Sequence, residues 1–147
     1  MKQWTRITLL LLLLPLFTGC DDTSDDSGSS SDDATPVAAS LDGSSWKLMA
    51  WSEATPIPAG VTITARFASG QISGSSAVNS YDGPYSASAD GTFSIEWLRS
   101  TLMGGTPEAM QAESQYLQLL NNACRYRVDG GQLTLSNDSG LALLIYQ

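Results

Sequence analysis

The stretch TPEAMQAESQYLQLLNNAC, Thr106 to Cys124, decides the fold, because here the chain takes up a helical period. Thr106-Pro107 reads as an N-cap and first helical position: the hydroxyl can accept an otherwise unpaired amide, and the amide that proline lacks would have had no partner there. At 100° per residue, Ala109, Met110, Ala112, Tyr116, Leu117, Leu119, Leu120 and Ala123 fall within one half of the wheel, and Gln111, Ser114, Gln115, Gln118, Asn121 and Asn122 fall on the other. That separation predicts an amphipathic helix of about four turns, whose apolar face another layer must cover. Glu113 interrupts the apolar face between Met110 and Leu117. A buried carboxylate is costly unless it is paired or hydrogen-bonded. It is either a catalytic acid with a raised pKa or a structural acceptor that pins a loop against the helix. No second catalytic partner is evident, which favours the pin.

Outward from the helix the period changes to two. Trp46, Leu48 and Ala50 alternate with Lys47, Met49 and Trp51. Val61, Ile63, Ala65 and Phe67 alternate with Thr62, Thr64 and Arg66, a stronger strand signal. Gln71 to Ser73 begins another strand, and Phe93, Ile95 and Trp97 are expected on one face with Glu96 on the other. After the helix, Cys124, Tyr126 and Val128 alternate with Arg125 and Arg127. Asp129-Gly130-Gly131 is a hairpin turn signal; Leu133, Leu135, the turn Asn137 to Gly140, and LALLIYQ follow. The expected class is α+β, mainly β: a small curved antiparallel sheet or partly open barrel with one amphipathic helix packed on it.

The N-terminus is different in kind. Met1 to Arg6 is a short cationic head, and Ile7 to Phe17 is an apolar run of 11 residues, against the roughly 20 that cross a bilayer. Residues 1–19 read as a secretory signal. Thr18 and Gly19 lead into Cys20, an arrangement that resembles the lipobox of bacterial lipoproteins, with Phe17 where leucine is usual. In that class Cys20 is acylated and becomes the mature N-terminus; several acyl chains give stable anchoring where one is marginal. Asp21 to Ser40 holds six Asp, six Ser and no aromatic residue. Such a segment cannot bury enough apolar surface to fold, so residues 20–40 read as a lipidated cysteine and an acidic tether. Its reach lies above the roughly 25 Å of a flexible coil and below about 70 Å. Asp21 and Asp22 resemble an inner-membrane retention signal of enteric lipoproteins, which leaves inner and outer membrane both open.

Residues 41–147 remain for one domain with one core. The whole chain of 147 residues has a formal charge of −8; seven of its 15 acids lie between Asp21 and Asp42. Gly43 to Gln147 carries eight acids and five bases (Lys47, Arg66, Arg99, Arg125 and Arg127), net −3, with no electrostatic footprint for nucleic acid. Histidine is absent, which removes the commonest general base and metal ligand. No EF-hand spacing, phosphate loop or cofactor motif occurs. With Cys20 lipidated, Cys124 stands alone and reads as a buried small hydrophobe.

The residues resemble the META domain, the family of the HslJ-like heat-shock lipoproteins. The likeness runs through Leu41 to Leu48, then Gly74, Asn79, Tyr81, Gly83 and Tyr85 within ISGSSAVNSYDGPY, then Thr101 and Met103. It continues in Met110-x-x-Glu113-x-x-Tyr116-Leu117-x-x-Leu120 and in the closing YRVDGGQLTLSNDSGLAL. Many members carry cysteines at the places of Val78 and, approximately, Gly105; both are missing here, as expected if they normally form one bridge. The resemblance implies a small β-rich fold with a helix against it; it does not imply a reaction. Physically, Gly74 and Gly83 are expected to supply backbone angles that other residues avoid, Asn79 to bond its own turn, and Tyr81 and Tyr85 to pack with bonded hydroxyls.

The expected function is that of a membrane-anchored, non-catalytic envelope lipoprotein facing the periplasm. It binds an envelope protein or an apolar ligand, and the resemblance implies stress tolerance. A lipid pocket is expected to be lined by Phe67, Ile95 and Trp97. An inhibitor or assembly factor for an envelope enzyme is the alternative. A carboxylate hydrolase needs two acids facing one cleft, and Asp90, Glu96 and Glu113 are its only plausible members.

Overall fold

A computed structural model describes residues 40–51 and 55–147. The expected signal segment, Cys20 and all of the acidic tether but Ser40 therefore lie outside the described residues. Strands run as β1 (Ser45–Trp51), β2 (Thr55–Pro56), β3 (Thr64–Ala68), β4 (Gln71–Ser75), β5 (Ser80–Ala87), β6 (Phe93–Ile95) and β7 (Arg99–Ser100). Helix α1 (Pro107–Asn121) follows, then β8 (Arg125–Asp129), β9 (Gln132–Ser136) and β10 (Ala142–Tyr146). All pairings are antiparallel, in the order β6-β5-β4-β3-β1-β10-β9-β8, with β2 on β1 and β7 on β5. The last strand thus sits beside the first. The two edges of the strip, β6 and β8, come round to touch at one bridge, Thr92–Arg125. There Phe93 N donates to Cys124 O at 3.0 Å and Tyr126 N to Gly91 O at 2.8 Å. Elsewhere the sheet stays open.

Local chemistry accounts for the turns. Gly130 and Gly131 both have positive φ, 55° and 77°, the pair a two-residue hairpin between Asp129 and Gln132 requires. Thr106 Oγ1 accepts from Ala109 N at 3.3 Å and Pro107 opens the helix, as its sequence predicts.

Strict alternation fails in two places. In β1 the register slips between Leu48 and Ala50. The extra residue is a bulge; Met49 stays outside, and Trp51 joins Leu48 in the core instead of facing outward. At β6 the expected face of Phe93, Ile95 and Trp97 loses its third member. The strand ends at Ile95, Trp97 is 48% exposed, and Leu98 is the residue packed against the core. The chain bends here because Trp97's carbonyl lies against Gly83, where a β-carbon would collide with it. Gly74 makes the same allowance for Thr64's carbonyl. Neither glycine has positive φ, so close approach, not torsion, requires them.

The core gathers Phe67, Ile72, Phe93, Leu133, Leu135 and Leu144 from the inner face. Helix α1 lies across it through Ala112, Glu113, Tyr116 and Leu120. Tyr116 joins strands four places apart: its hydroxyl meets those of Tyr81 on β5 at 2.6 Å and Tyr146 on β10 at 3.1 Å. Tyr81 donates to Thr64 O at 3.0 Å. One proton direction satisfies every hydroxyl, with Tyr146 donating to Tyr116, Tyr116 to Tyr81, and Tyr81 to the carbonyl. Burial raises all three phenol pKa values, so the chain stays protonated at ordinary pH. Tyr116→Phe leaves two buried hydroxyls short of a partner and is expected to cost about 1–3 kcal/mol; urea denaturation measures it. A loss below a few tenths would mean the hydroxyl chain carries no stability.

Candidate functional site

Where β4 turns into β5, the loop Ser76–Asn79 meets the buried carboxylate of α1. Glu113 Oε2 accepts from Ser76 Oγ at 2.9 Å, Val78 N at 3.2 Å and Asn79 N at 2.8 Å. Its Oε1 accepts from Asn79 Nδ2 at 2.8 Å. Burial pushes the Glu113 pKa up, but these bonds to the ionised form outweigh it and hold the carboxyl below its ordinary value. Catalytic general acids are tuned the other way. The loop is also strained: Ala77 has φ of 107°, a region that side chains disfavour.

Asn79 carries the network outward. Its Oδ1 accepts from Thr101 Oγ1 and from Met103 N, both at 2.7 Å, and its Nδ2 also reaches Met103 O at 3.3 Å. Asn79 bonds its own turn through its carbonyl, which accepts from Ser76 N at 2.8 Å and Ser76 Oγ at 2.9 Å, while its side chain goes elsewhere and ties the segment before α1 to the helix itself. Four residues singled out in the sequence, Asn79, Thr101, Met103 and Glu113, converge here, with Gly74 and Tyr81 beneath them on the hairpin. Ser76 and Val78 were missed as donors. A serine and a backbone amide give no signal until the fold sets a carboxylate opposite them.

Gly83 and Tyr85 lie further along β5. Tyr85 is half-buried; its ring lies edge-on to Phe67 at 4.9 Å and stacked on Phe93 at 6.2 Å. Burial and then the nearby Asp42 carboxylate raise its pKa. Phe67 is fully buried, Ile95 half-buried opposite Tyr85, and Trp97 outside, with the Arg99 guanidinium 5.7 Å from its ring centre. The structure does not bring these three together around one opening. One open cleft, about 320 Å³, is lined by Leu41, Asp42, Gly70, Tyr85 and Tyr126 among others. Another, about 500 Å³, includes Trp46, Lys47, Thr64, Arg66 and Gln147. Asp90, Glu96 and Glu113 line neither. Asp90 is exposed and bonded to Thr92 N and Oγ1 at 3.0 and 2.8 Å, which lowers its pKa. Among the described residues no group of three His, Cys, Asp or Glu could hold a metal, and no helix is long and apolar enough to cross a membrane. Cys124 is half-buried and unbridged.

The family model for the META domain matches residues 39–147, the span of this whole sheet-and-helix unit. The chain belongs to the META domain family. That family is not a known enzyme family. An NMR structure of a protein from Burkholderia xenovorans is 25% identical, with a TM-score of 0.62 over 91% of this chain and 97% of that one. A second NMR structure is 21% identical, with a TM-score of 0.57 over 73% of this chain and 90% of the other. A crystal structure of a DUF4847 family protein from Bacteroides vulgatus is 16% identical, with a TM-score of 0.56 over 72% and 92%. The latter two likenesses speak for the META fold alone. No curated protein matches the chain.

Proposed function

We propose that this META protein is a non-catalytic lipoprotein of the bacterial envelope, anchored through acylated Cys20 and facing the periplasm, whose domain binds a protein partner. The observation that carries the non-catalytic reading is the state of Glu113. The most chemically suggestive side chain in the fold has four hydrogen bonds to one loop and a lowered pKa. It has neither the raised pKa nor the open approach that an acid catalyst needs. An apolar ligand is the weaker form of the binding reading, because Phe67 is filled core and Trp97 lies outside. A role as inhibitor or assembly factor of an envelope enzyme is favoured by one feature, an exposed apolar loop before α1. Envelope stress tolerance is the context we propose for either.

The anchor has a direct test. Cells fed labelled palmitate are expected to label the full-length protein, and Cys20→Ser is expected to abolish the label and release the protein from the membrane fraction. A wild-type protein whose mature form carries no acyl mass would refute the anchoring.

A further inference from the structure

Gly43 to Gln147 has five bases, and three of them are engaged. Arg99 pairs with Asp82 and Arg127 with Asp129, both at 2.8 Å. Arg125 lies near Asp90, whose carboxyl is held low first by its bonds to Thr92 and, to a lesser degree, by that guanidinium. The other two, Lys47 and Arg66, line the same open cleft of about 500 Å³, a volume within the range of small-molecule sites. Register places them there. Ser45 pairs with Arg66 and Lys47 with Thr64 across β1 and β3, so the two exposed cations are diagonal neighbours on one face, about 7 Å apart at their β-carbons. Among the described residues no carboxylate is ion-paired with either. Asp82, in the same row as Arg66 and Ser73 but two strands from β3, is occupied by Arg99. Like charges this close repel, and a bound anion would relieve that. The rest of the lining adds donors. Ser45, Thr64 and Ser73 contribute hydroxyls; Thr64 Oγ1 already accepts from Ser75 N at 3.1 Å, so its own proton is left to give. Gly74 adds no side chain, because one would collide with Thr64's carbonyl. Trp46 and Ala65 supply apolar surface, and no Asp or Glu lines the cleft.

We propose that this cleft binds a phosphate group carried on a small soluble molecule, with the Arg66 guanidinium and the Lys47 ammonium on its oxygens and the hydroxyls of Thr64 and Ser73 beside them. The donor set selects phosphate over carboxylate. A guanidinium can take both oxygens of a carboxylate by itself, which leaves Lys47 and the hydroxyls without a use. A phosphate monoester offers a third oxygen and close to two negative charges for the two cations. Charge also argues against an anionic bilayer as the source of the phosphate. The domain is net −3 and seven further acids precede it, so a surface of anionic lipid repels the protein as a whole. A small ester entering one cleft meets the local pair of cations instead. Because both cations are exposed, salt screens the attraction and the binding is weak and reversible. The site is independent of the protein partner and of the lipid anchor proposed above.

The test is an NMR titration of the full-length protein, in neutral detergent at low ionic strength, with glycerol phosphate as the probe and acetate as its carboxylate counterpart. Glycerol phosphate is expected to give saturable amide shifts centred on Lys47, Thr64, Arg66 and Ser73, and acetate much weaker ones at the same concentration. Lys47→Gln and Arg66→Gln are each expected to weaken binding about fivefold, and the double variant to abolish saturation, with the melting temperature unchanged. Arg127→Gln, a cation elsewhere on the sheet, is expected to bind as wild type does. Vesicles of phosphatidylcholine with phosphatidylglycerol are expected to leave the four residues unshifted. The absence of saturable shifts, equal affinity of the double variant, acetate binding as tightly as the ester, or a response confined to the anionic vesicles each overturns the proposal. So does a shift of the same amides, with no phosphate added, when the six aspartates between Asp21 and Ser40 are replaced by asparagine, since the chain's own acidic segment would then be the occupant.

Discussion

Glu113→Ala is expected to destabilise the domain by roughly 3–5 kcal/mol, a large fraction of the 5–15 kcal/mol typical of a domain. The loss follows from donors left behind, not from any charge pair. Ser76 Oγ, Val78 N, Asn79 N and Asn79 Nδ2 all point at the two carboxylate oxygens. Ser76 Oγ keeps Asn79 O at 2.9 Å and Asn79 Nδ2 keeps Met103 O at 3.3 Å, so the amides of Val78 and Asn79 carry most of the loss, at about 1–3 kcal/mol for each buried donor without a partner. Strain at Ala77 adds to the effect, because the carboxylate is one of the contacts that hold the Ser76–Asn79 conformation, beside the loop's own bonds from Ser76 N and Oγ to Asn79 O. Glu113→Gln keeps one acceptor but turns an amide group toward the remaining donors, and is expected to cost less than the alanine variant. The same group sets a pH dependence. Its folded pKa is lowered, so its contribution is fully present above the ordinary glutamate value near 4.5 and is lost as pH falls through the folded value. Urea titrations of wild type and Glu113→Gln between pH 3 and pH 7 should therefore converge at the acid end. Curves that stay parallel throughout, or an alanine variant within 1 kcal/mol of wild type, would show that the carboxylate does not hold the loop.

A disulfide between positions 78 and 105 is expected to form on oxidation and to stabilise the domain by roughly 3 kcal/mol. A β-carbon placed on Gly105 falls 3.5 Å from the Val78 β-carbon, inside the 3.5–4.5 Å range that bridged cysteines occupy. Its nearest neighbour, 2.6 Å away, is a Val78 γ-methyl, and cysteine replaces that atom with the bonded sulfur. The bridge would tie the strained hairpin loop to the segment before α1, where Asn79 already links the two by hydrogen bonds. Val78→Cys with Gly105→Cys, made with Cys124→Ser to prevent mispairing, should melt well above the parent when oxidised and lose that gain under reductant. Failure to bridge, or a lower melting temperature in the oxidised form, would show that the two backbones are not held at this spacing. The cysteine positions implied by the family likeness thus mark a real contact that this chain makes with valine and glycine.

The two networks differ in how far the chain alone reveals them. Helix α1, its cap, the Gly130-Gly131 hairpin and most strands follow from periodicity and turn chemistry, which act over fewer than about ten residues. Glu113 also announced itself, because a carboxylate on an apolar stripe must find donors. Which donors could not be read off, since Ser76, Val78 and Asn79 lie 34 to 37 residues away along the chain. Asn79 was recognisable by type and misassigned by partner for the same reason: a side chain able to bond its own turn was drawn to Thr101 and Met103 by the pairing of β7 with β5.

The order of residues by itself determined that a helix with one apolar face must lie on a twisted antiparallel sheet, and that the domain has no histidine chemistry. Tertiary structure alone decided the rest. Alternation cannot foresee the slip that turns Trp51 inward, because a bulge depends on the register of β10. Composition cannot tell a glycine needed for torsion from Gly74 and Gly83, which make room for a neighbouring carbonyl. Nor can hydropathy tell a buried leucine from Leu102, which the hydrogen bonds at Thr101 and Met103 hold in solvent. Local pattern reports which groups require burial or partners; only the packed chain settles where those partners stand.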